Sequence, residues 1–275
     1  MLELIAAHQL LIAGMLVAGF AAGFAGGLFG IGGGIVTVPV LYAVFHSIGV
    51  AESQSLKTAI GTSLAIIVVT SIRSLMTHHR MGHVDMEILR NWAPWISIGA
   101  VIGGIAARWA PVELLTIIFA GGAFYIAWRR LTKRQSAPSG GNLLRKRFKM
   151  PVGVGTGLFC SLMGLGGGAV GVLVMTASGR TMHQAIATSA GFGIAVAVPG
   201  VLGFVWSGYA HTGLPPGSYG YFNLPAFFLM ALMAAVAAPL GARFAHRTKA
   251  ALLSKLFGGY VLLAAISLML DVFGK

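Results

Sequence analysis

The chain has 275 residues, of which 57% are hydrophobic and 9% charged, and its mean hydropathy is +0.86. Soluble domains carry about 25% charged residues, so a soluble protein this apolar could not cover its surface. The net charge of +13 would suggest nucleic-acid binding in a soluble protein. Here the basic residues cluster in short loops, as membrane topology requires, so we exclude nucleic acid and expect a lipid bilayer around the chain.

Apolar segments follow one another along the chain and are separated by short polar loops. Apolar stretches of about 17–25 residues span the hydrocarbon core of a bilayer as helices. The sequence therefore predicts an all-α polytopic membrane protein with about eight to ten transmembrane segments. The segments are residues 10–30, 31–45, 58–76, 92–107, 112–128, 151–165, 166–177, 184–206, 222–242 and 251–270.

Two of these apolar regions are interrupted by the same glycine pattern. The sequence GIGGG occupies residues 30–34, and GLGGG occupies residues 164–168. We call them the first and the second glycine turn. Within lipid, a broken helix is tolerated only where protein or water satisfies its free backbone groups. Close helix packing through small residues is the alternative explanation for such glycines, and both roles are compatible.

The two halves of the chain repeat these features in the same order. A shift of 134 residues superposes the two glycine turns, and a shift of 126 superposes KTAIGTS at residues 57–63 on HQAIATS at residues 183–189. A shift of 137 aligns Gly104 with Gly241. We therefore expect an N-terminal repeat, residues 1–130, a basic linker, residues 131–150, and a C-terminal repeat, residues 151–275.

The distribution of Lys and Arg predicts the orientation of the repeats. The stretch 129–149 contains eight Lys or Arg and no acidic residue, which predicts a cytoplasmic linker, whereas residues 207–221 contain no Lys, Arg, Asp or Glu. Tracing the chain under these constraints makes residues 10–45 begin and end outside and residues 151–177 begin and end inside. Each glycine-rich region is then a re-entrant or paired helical hairpin followed by three spanning helices. Such inverted-topology repeats are typical of secondary transporters.

The groups around the glycine turns suit an anion. A helix that starts after a glycine break offers free N–H groups and a positive dipole potential, and neighbouring hydroxyls can donate hydrogen bonds. Lys57 and His183, at equivalent positions of the two halves, could attract the anion from either side, or could be a snorkelling lysine and an interfacial histidine. The predicted substrate-binding residues are Gly32, Gly33, Gly34, Thr37, Lys57, Thr62, Ser63, Gly166, Gly167, Gly168, His183, Gln184, Thr188 and Ser189.

Other classes of site have little support in the sequence. No acidic residue lies centrally in a spanning segment, which disfavours a cationic substrate. Cys160 is the only cysteine, so intrachain disulfides and cysteine metal sites are excluded. We predict no catalytic residue, no metal and no cofactor. A histidine such as His183 could titrate near neutral pH, so coupling to a proton is left open. Assembly into a homo-oligomer is left open as well.

The sequences GFAGGLFGIGGGIVTVPVL, residues 23–41, and GLFCSLMGLGGGAVGVLVM, residues 157–175, resemble the sulfite exporter family TauE/SafE. Each is followed by a helix carrying GTS or ATS, and the resemblance covers essentially the whole chain. It implies a bacterial inner-membrane transporter of sulfur-containing anions. In the second repeat Leu173 replaces Pro39 and Ala187 replaces Gly61, which leaves open whether both turns contact substrate.

From these features we expect a secondary transporter, generally an exporter, of small sulfur-containing oxyanions such as sulfite, sulfoacetate or other organosulfonates, working by alternating access. The linker is expected in the cytoplasm and both termini in the periplasm. A passive anion channel, or a non-transporting membrane subunit or enzyme of sulfur metabolism, is the alternative function.

Overall fold

A computed structural model describes residues 2–132, residues 149–249 and eight single positions between 252 and 266. Most of the predicted linker and most of the last predicted segment, residues 251–270, lie outside the described residues. The described helices are α1 (Leu2–Phe29), α2 (Gly34–Ser47), α3 (Glu52–Arg80), α4 (Met86–Ala106), α5 (Val112–Thr132), α6 (Lys149–Leu162), α7 (Gly168–Ala177), α8 (Met182–Gly208) and α9 (Leu224–Arg247). A short ribbon of β1 (Ser218–Tyr219) and β2 (Phe222–Asn223) precedes α9.

Long apolar helices dominate the described part of the chain. Four of them are long and apolar enough to cross a membrane, namely Leu11–Phe29 within α1, and α3, α8 and α9. Within their most apolar stretches, 67% of α3 and 72% of α8 are buried, against 44% and 39% for α1 and α9. The centre of this all-helical, multi-pass membrane protein is therefore the α3–α8 pair.

Glycines let the outer helices pack closely in two pairs. On α1, a Cβ at Gly19 or Gly23 would lie within 3.0 Å of the backbone of Met230 or Ala234 on α9. On α6, Gly157 is in similarly close contact with the backbone of Ile96 on α4. Close backbone approach through small residues is how helices associate in lipid, where apolar burial gives no preference for protein over acyl chains. The packing explanation for isolated glycines is therefore confirmed at these positions.

The chain reverses at each glycine turn. After α1 ends, Gly33 lies against the backbone of Ala22, eleven residues earlier, and the shorter helix α2 returns. After α6, the backbone of Val170 on α7 reaches the thiol of Cys160. Each glycine-rich region is thus a helical hairpin with one longer and one shorter arm.

The four helices α3, α4, α8 and α9 run between two ends of the molecule. The start of α3, with Lys57, meets the turn after α4, with Arg108; we call this the Lys57 end. The end of α3, with His78, meets the end of α9, with His246; we call this the histidine end. Helices α3 and α9 run from the Lys57 end to the histidine end, and α4 and α8 run in the opposite direction.

The loops sort between these ends by charge. The basic segments 73–90 and 243–249 lie at the histidine end, whereas residues 207–221, which carry no Lys, Arg, Asp or Glu, lie at the Lys57 end with Arg108. Loops predicted to share a side of the membrane therefore do share an end of the molecule. That the histidine end faces the cytoplasm stays a prediction.

Candidate functional site

The two glycine turns contact each other directly. Gly34, the first residue of α2, lies against the carbonyl oxygen of Gly164, so closely that no Cβ could be accommodated there. Reciprocally, Gly168, the first residue of α7, lies against the carbonyl oxygen of Gly30. The hairpins of the two halves therefore meet through their turns.

Backbone conformation makes several of these glycines obligatory. Gly30 and Gly164, which follow α1 and α6, have φ angles of 68° and 64°, and Gly32 and Gly33 have φ angles of 77° and 87°. These left-handed values are unfavourable for residues with a Cβ. Helices α2 and α7 start from Gly33 and Gly167 without a side-chain cap. The first N–H groups of a helix lack the usual partner four residues earlier, and at the starts of α2 and α7 Gly34 and Gly168 lie against the other turn.

A single hydrocarbon side chain fills the space between the turns. Ile67, at the middle of α3, is fully buried. A Cβ at Gly32 or at Gly166 would lie 2.6 or 2.8 Å from its Cγ2 atom. In this conformation the two turns are therefore closed on Ile67, and a ligand between them would have to displace it.

Hydroxyl groups surround the turns unequally in the two halves. The Thr37 and Ser63 hydroxyls are 2.6 Å apart, and Ser63 also donates to the carbonyl of Gly164 at 3.0 Å. In the second half Gly171 takes the place of Thr37, three residues after the helix start. The equivalent hydroxyl, Ser189 Oγ, is buried without a hydrogen-bond partner. It is thus a free donor beside the second turn.

Two of the three threonines of the predicted site, Thr62 and Thr188, bond to residues that start helices. The Thr62 hydroxyl accepts a hydrogen bond from the N–H of Asn223 at 2.9 Å, and the Thr188 hydroxyl accepts one from the N–H of Asp85 at 2.9 Å. Asn223 and Asp85 are the N-cap residues of α9 and α4. Both threonines therefore have a structural partner, and their contact with substrate stays a prediction.

Lys57 is a buried cation at the end that bears its name. Its side chain is 8% exposed, its Nζ donates to the carbonyl of Arg108 at 3.3 Å, and it lies 5.8 Å from the ring centre of Tyr221. Among the described residues, no carboxylate forms an ion pair with Lys57. A buried charge without a counter-ion is costly, and a passing anion would relieve that cost.

His183 lies at the opposite end, in a group of four imidazoles with His78, His83 and His246. We call these four residues the histidine cluster. The ring centres of His83 and His183 lie 4.5 and 5.9 Å from that of His246. Gln184 forms a capping box with Thr181 at the start of α8. Over the described part of the chain, no group of three or more His, Cys, Asp or Glu is arranged to hold a metal ion.

The structure divides the predicted site residues into three groups. The glycines, Thr37, Ser63 and Ser189 lie at the central contact; Lys57 lies at one end, with Thr62 towards it beside the start of α9; His183 and Gln184 lie at the other end, with Thr188 towards it beside the start of α4. Sequence reasoning missed Ile67, Arg108, His78 and His246. Arg108 and His246 could have been found together, because they are 138 residues apart, close to the shift of 137 that relates the glycines of their helices.

The long apolar helices, the facing helix breaks and the buried unbalanced cation define a multi-pass membrane transporter. The family model Sulfite exporter TauE/SafE matches residues 15–268, so the chain belongs to this family, which is one of membrane transporters and not of enzymes. A "Probable membrane transporter protein" of Haemophilus influenzae is 33% identical over 255 residues, 93% of this chain and 97% of the relative. Another, of Methanocaldococcus jannaschii, is 27% identical over 84% of this chain and 85% of its own. No solved structure gives a significant match.

Proposed function

We propose that the protein is a secondary transporter that exports small sulfur-containing oxyanions, such as sulfite, sulfoacetate or other organosulfonates, by alternating access. The observation that supports an anionic substrate is the burial of Lys57, which is 8% exposed and has no carboxylate partner among the described residues. The buried polar groups of the described chain include no Asp or Glu, so nothing there would attract a cation.

The proposed binding site is the contact between the glycine turns. The free N–H groups at the starts of α2 and α7 would face the anion from opposite sides, as at other helix-terminal anion sites. The unpartnered Ser189 would supply a hydroxyl donor, and Ser63 would supply a second on releasing the carbonyl of Gly164. Displacement of Ile67 would open the space that these groups share.

In alternating access, two inverted repeats, residues 1–130 and 151–275, would each adopt in turn the packing of the other. Contacts that are reciprocal between the two halves support the repeat. Gly34 lies on Gly164 as Gly168 lies on Gly30. Helix α1 packs along α9 as α6 packs along α4, with each pair drawing one helix from each half. A site between two such halves can face either side of a membrane as the halves rock against each other.

The test is radiolabelled-sulfite exchange by the purified protein in lipid vesicles, with unlabelled sulfite, sulfoacetate or methanesulfonate inside. We expect saturable uptake that is accelerated by substrate on the far side. Uptake without saturation or acceleration would identify a channel instead. Vesicles that move none of these anions faster than protein-free vesicles would overturn the proposal.

We also propose that the protein lies in the bacterial inner membrane with the linker in the cytoplasm and both termini in the periplasm. The concentration of basic segments at the histidine end supports this orientation. Fusions of alkaline phosphatase or green fluorescent protein to the C-terminus test it. An active phosphatase and a dark fluorescent protein are expected, and the opposite result would reverse the orientation.

A further inference from the structure

The histidine cluster contains titratable groups that the proposed anion site does not use. His78 is fully buried, and its Nε2 lies 3.2 Å from the carbonyl oxygen of Gly27 on α1. Its Nδ1 lies 2.8 Å from Nε2 of His246. Because a carbonyl can only accept, Nε2 of His78 carries a proton, and in the neutral pair Nδ1 accepts from His246. One imidazole pair therefore joins the ends of α1, α3 and α9.

This pair can take up one proton and remain joined. The Nδ1 of His246 is left as an acceptor when its Nε2 donates, so a proton there charges His246 and strengthens the bond to His78. A second proton, on Nδ1 of His78, would set two N–H groups against each other across 2.8 Å. The contact between α3 and α9 would then have to open.

The surroundings do not neutralise a charged cluster. His83 lies on the loop before α4 and His183 on α8, and Nε2 of His183 is buried without a partner. Asp85, the nearest acid of that loop, is 3.2 Å from Arg180 and also caps α4. Glu87, the other acid at this end, is exposed in the first turn of α4. The remaining charged or titratable groups at this end are basic, among them His79 and Arg80 on α3, Arg243 and Arg247 on α9, and Lys249 after it. Positive charge therefore predominates around the cluster and opposes each added proton.

Buried hydroxyls link the cluster to the glycine turns along α3. Ser71 and Ser74 are each 1% exposed, and neither hydroxyl has a hydrogen-bond partner. With His78 they follow a spacing of three and four residues, which places them on one face of the helix. On the same helix, Thr70 donates to the carbonyl of Gly32 at 2.8 Å. A line of unsatisfied polar groups thus runs from the first glycine turn to the histidine pair.

We propose that the histidine cluster is a proton-binding site, centred on His78 and His246, that couples proton movement to transport. The inference rests on the proposed transport function for its coupling role, but proton binding itself does not. The first proton keeps the His78–His246 pair joined, and a second proton loosens the contact of α3 with α9 at this end; Ser71 and Ser74 connect that change with the anion between the turns. A metal ion fits less well, because Nδ1 of His78 and Nε2 of His246 already bond to each other.

The first arm of the test needs no substrate. The melting temperature of the purified protein in detergent is measured between about pH 5 and pH 8, the range in which histidine changes charge. We expect the wild type to lose stability towards acid, and His246→Gln to flatten that loss, because the amide keeps a donor but takes up no proton. His79→Gln, an exposed histidine one residue after His78, is the matched control and should retain the wild-type profile. An unchanged pH profile in His246→Gln would overturn the proposal.

The second arm measures coupling in vesicles. Sulfite exchange at equal pH is compared with net sulfite uptake driven by a pH gradient, after subtraction of the passive leak of protein-free vesicles. His246→Gln should keep exchange and lose the response to the gradient, while His79→Gln should keep both. Gradient-driven uptake by His246→Gln at the wild-type rate would overturn the coupling role. If the wild type moves no sulfite at all, the proposed function fails, and the first arm still decides whether the cluster binds protons.

Discussion

At the Lys57 end, the basic side chains of Lys57 and Arg108 meet beside Tyr221, whereas at the histidine end four imidazoles meet. In the proposed repeat the two sets occupy corresponding positions. Lys57 corresponds to His183 and Phe204 to His78, each 126 residues apart, and Arg108 corresponds to His246 and Tyr221 to His83, each 138 apart. One end therefore presents a lysine and an arginine, and the other presents four imidazoles.

The glycine contacts at the centre, by contrast, are reciprocal between the two halves, and the largest expected effect tests that reciprocity. Gly34→Ala and Gly168→Ala each press a methyl group onto a carbonyl oxygen of the opposite turn. Such overpacking costs about 1–3 kcal/mol, so both variants should melt at clearly lower temperature and lose transport to a similar extent.

The control for these variants is Gly155→Ala on α6, where an added Cβ meets nothing within 4 Å. Because alanine favours a helix over glycine by about 1 kcal/mol, this variant should be at least as stable as the wild type. A tolerated Gly168→Ala beside an inactive Gly34→Ala would show that the centre is unequal as well.

Removing the charge of Lys57 should have the next largest effect. Lys57→Met keeps an unbranched side chain only one heavy atom shorter and removes its charge. If Lys57 attracts the anion with a charged hydrogen bond worth about 1.5–3 kcal/mol, sulfite exchange should fall by about tenfold or more. Lys249→Met, which removes an exposed lysine after α9, should leave the rate unchanged. Equal rates in both variants would remove Lys57 from the mechanism.

Giving the Lys57 end a titratable group should make the two ends more alike. Lys57→His is charged in acid and neutral above its own transition, so its exchange rate should approach that of the wild type near about pH 5 and that of Lys57→Met near about pH 8. The sign follows from the charge, since only the protonated imidazole attracts an anion. A Lys57→His rate with the same pH profile as the wild type would contradict this explanation.

The smallest effect compares the two serines of the centre. Ser63→Ala removes the donor that satisfies the Gly164 carbonyl, and an unpaired buried acceptor costs about 1–3 kcal/mol. Ser189→Ala removes a hydroxyl that has no partner, so its melting temperature should equal or exceed that of the wild type. If Ser189 binds substrate, its loss should nonetheless raise the KM for sulfite. A Ser189→Ala variant with unchanged KM would leave only the first turn as a site.

Sequence reasoning was most successful where composition and glycine pattern decide the outcome. Apolar segment length predicted the helices, and the glycine pattern predicted that α1 and α6 would break at residues 30–34 and 164–168. The Thr62 and Thr188 partners could not be predicted, because they are N–H groups of Asn223 and Asp85, far away in the chain.

The histidine cluster could not be predicted from the sequence pattern either. Its members come from three helices and a loop, and only the packing of α3 against α9 brings His78 to His246. Ile96 on α4 contacts Gly157, and Ala234 on α9 contacts the matching Gly23. Ile96 and Ala234 are 138 residues apart, whereas the matching of glycines in the sequence gave a shift of 137 for these helices. Glycines pack on more than one face of a helix, so their pattern alone does not define the register to one residue.

The central claim is that the two glycine turns hold an anion between these unlike ends. Diffraction from crystals soaked with selenite, a heavier analogue of sulfite, tests it directly through the anomalous signal of selenium. We predict a peak between residues 32–34 and residues 166–168, within hydrogen-bonding distance of the first N–H groups of α2 and α7, with Ile67 displaced. A selenium peak elsewhere in the protein, with Ile67 still packed between the turns, would contradict the account.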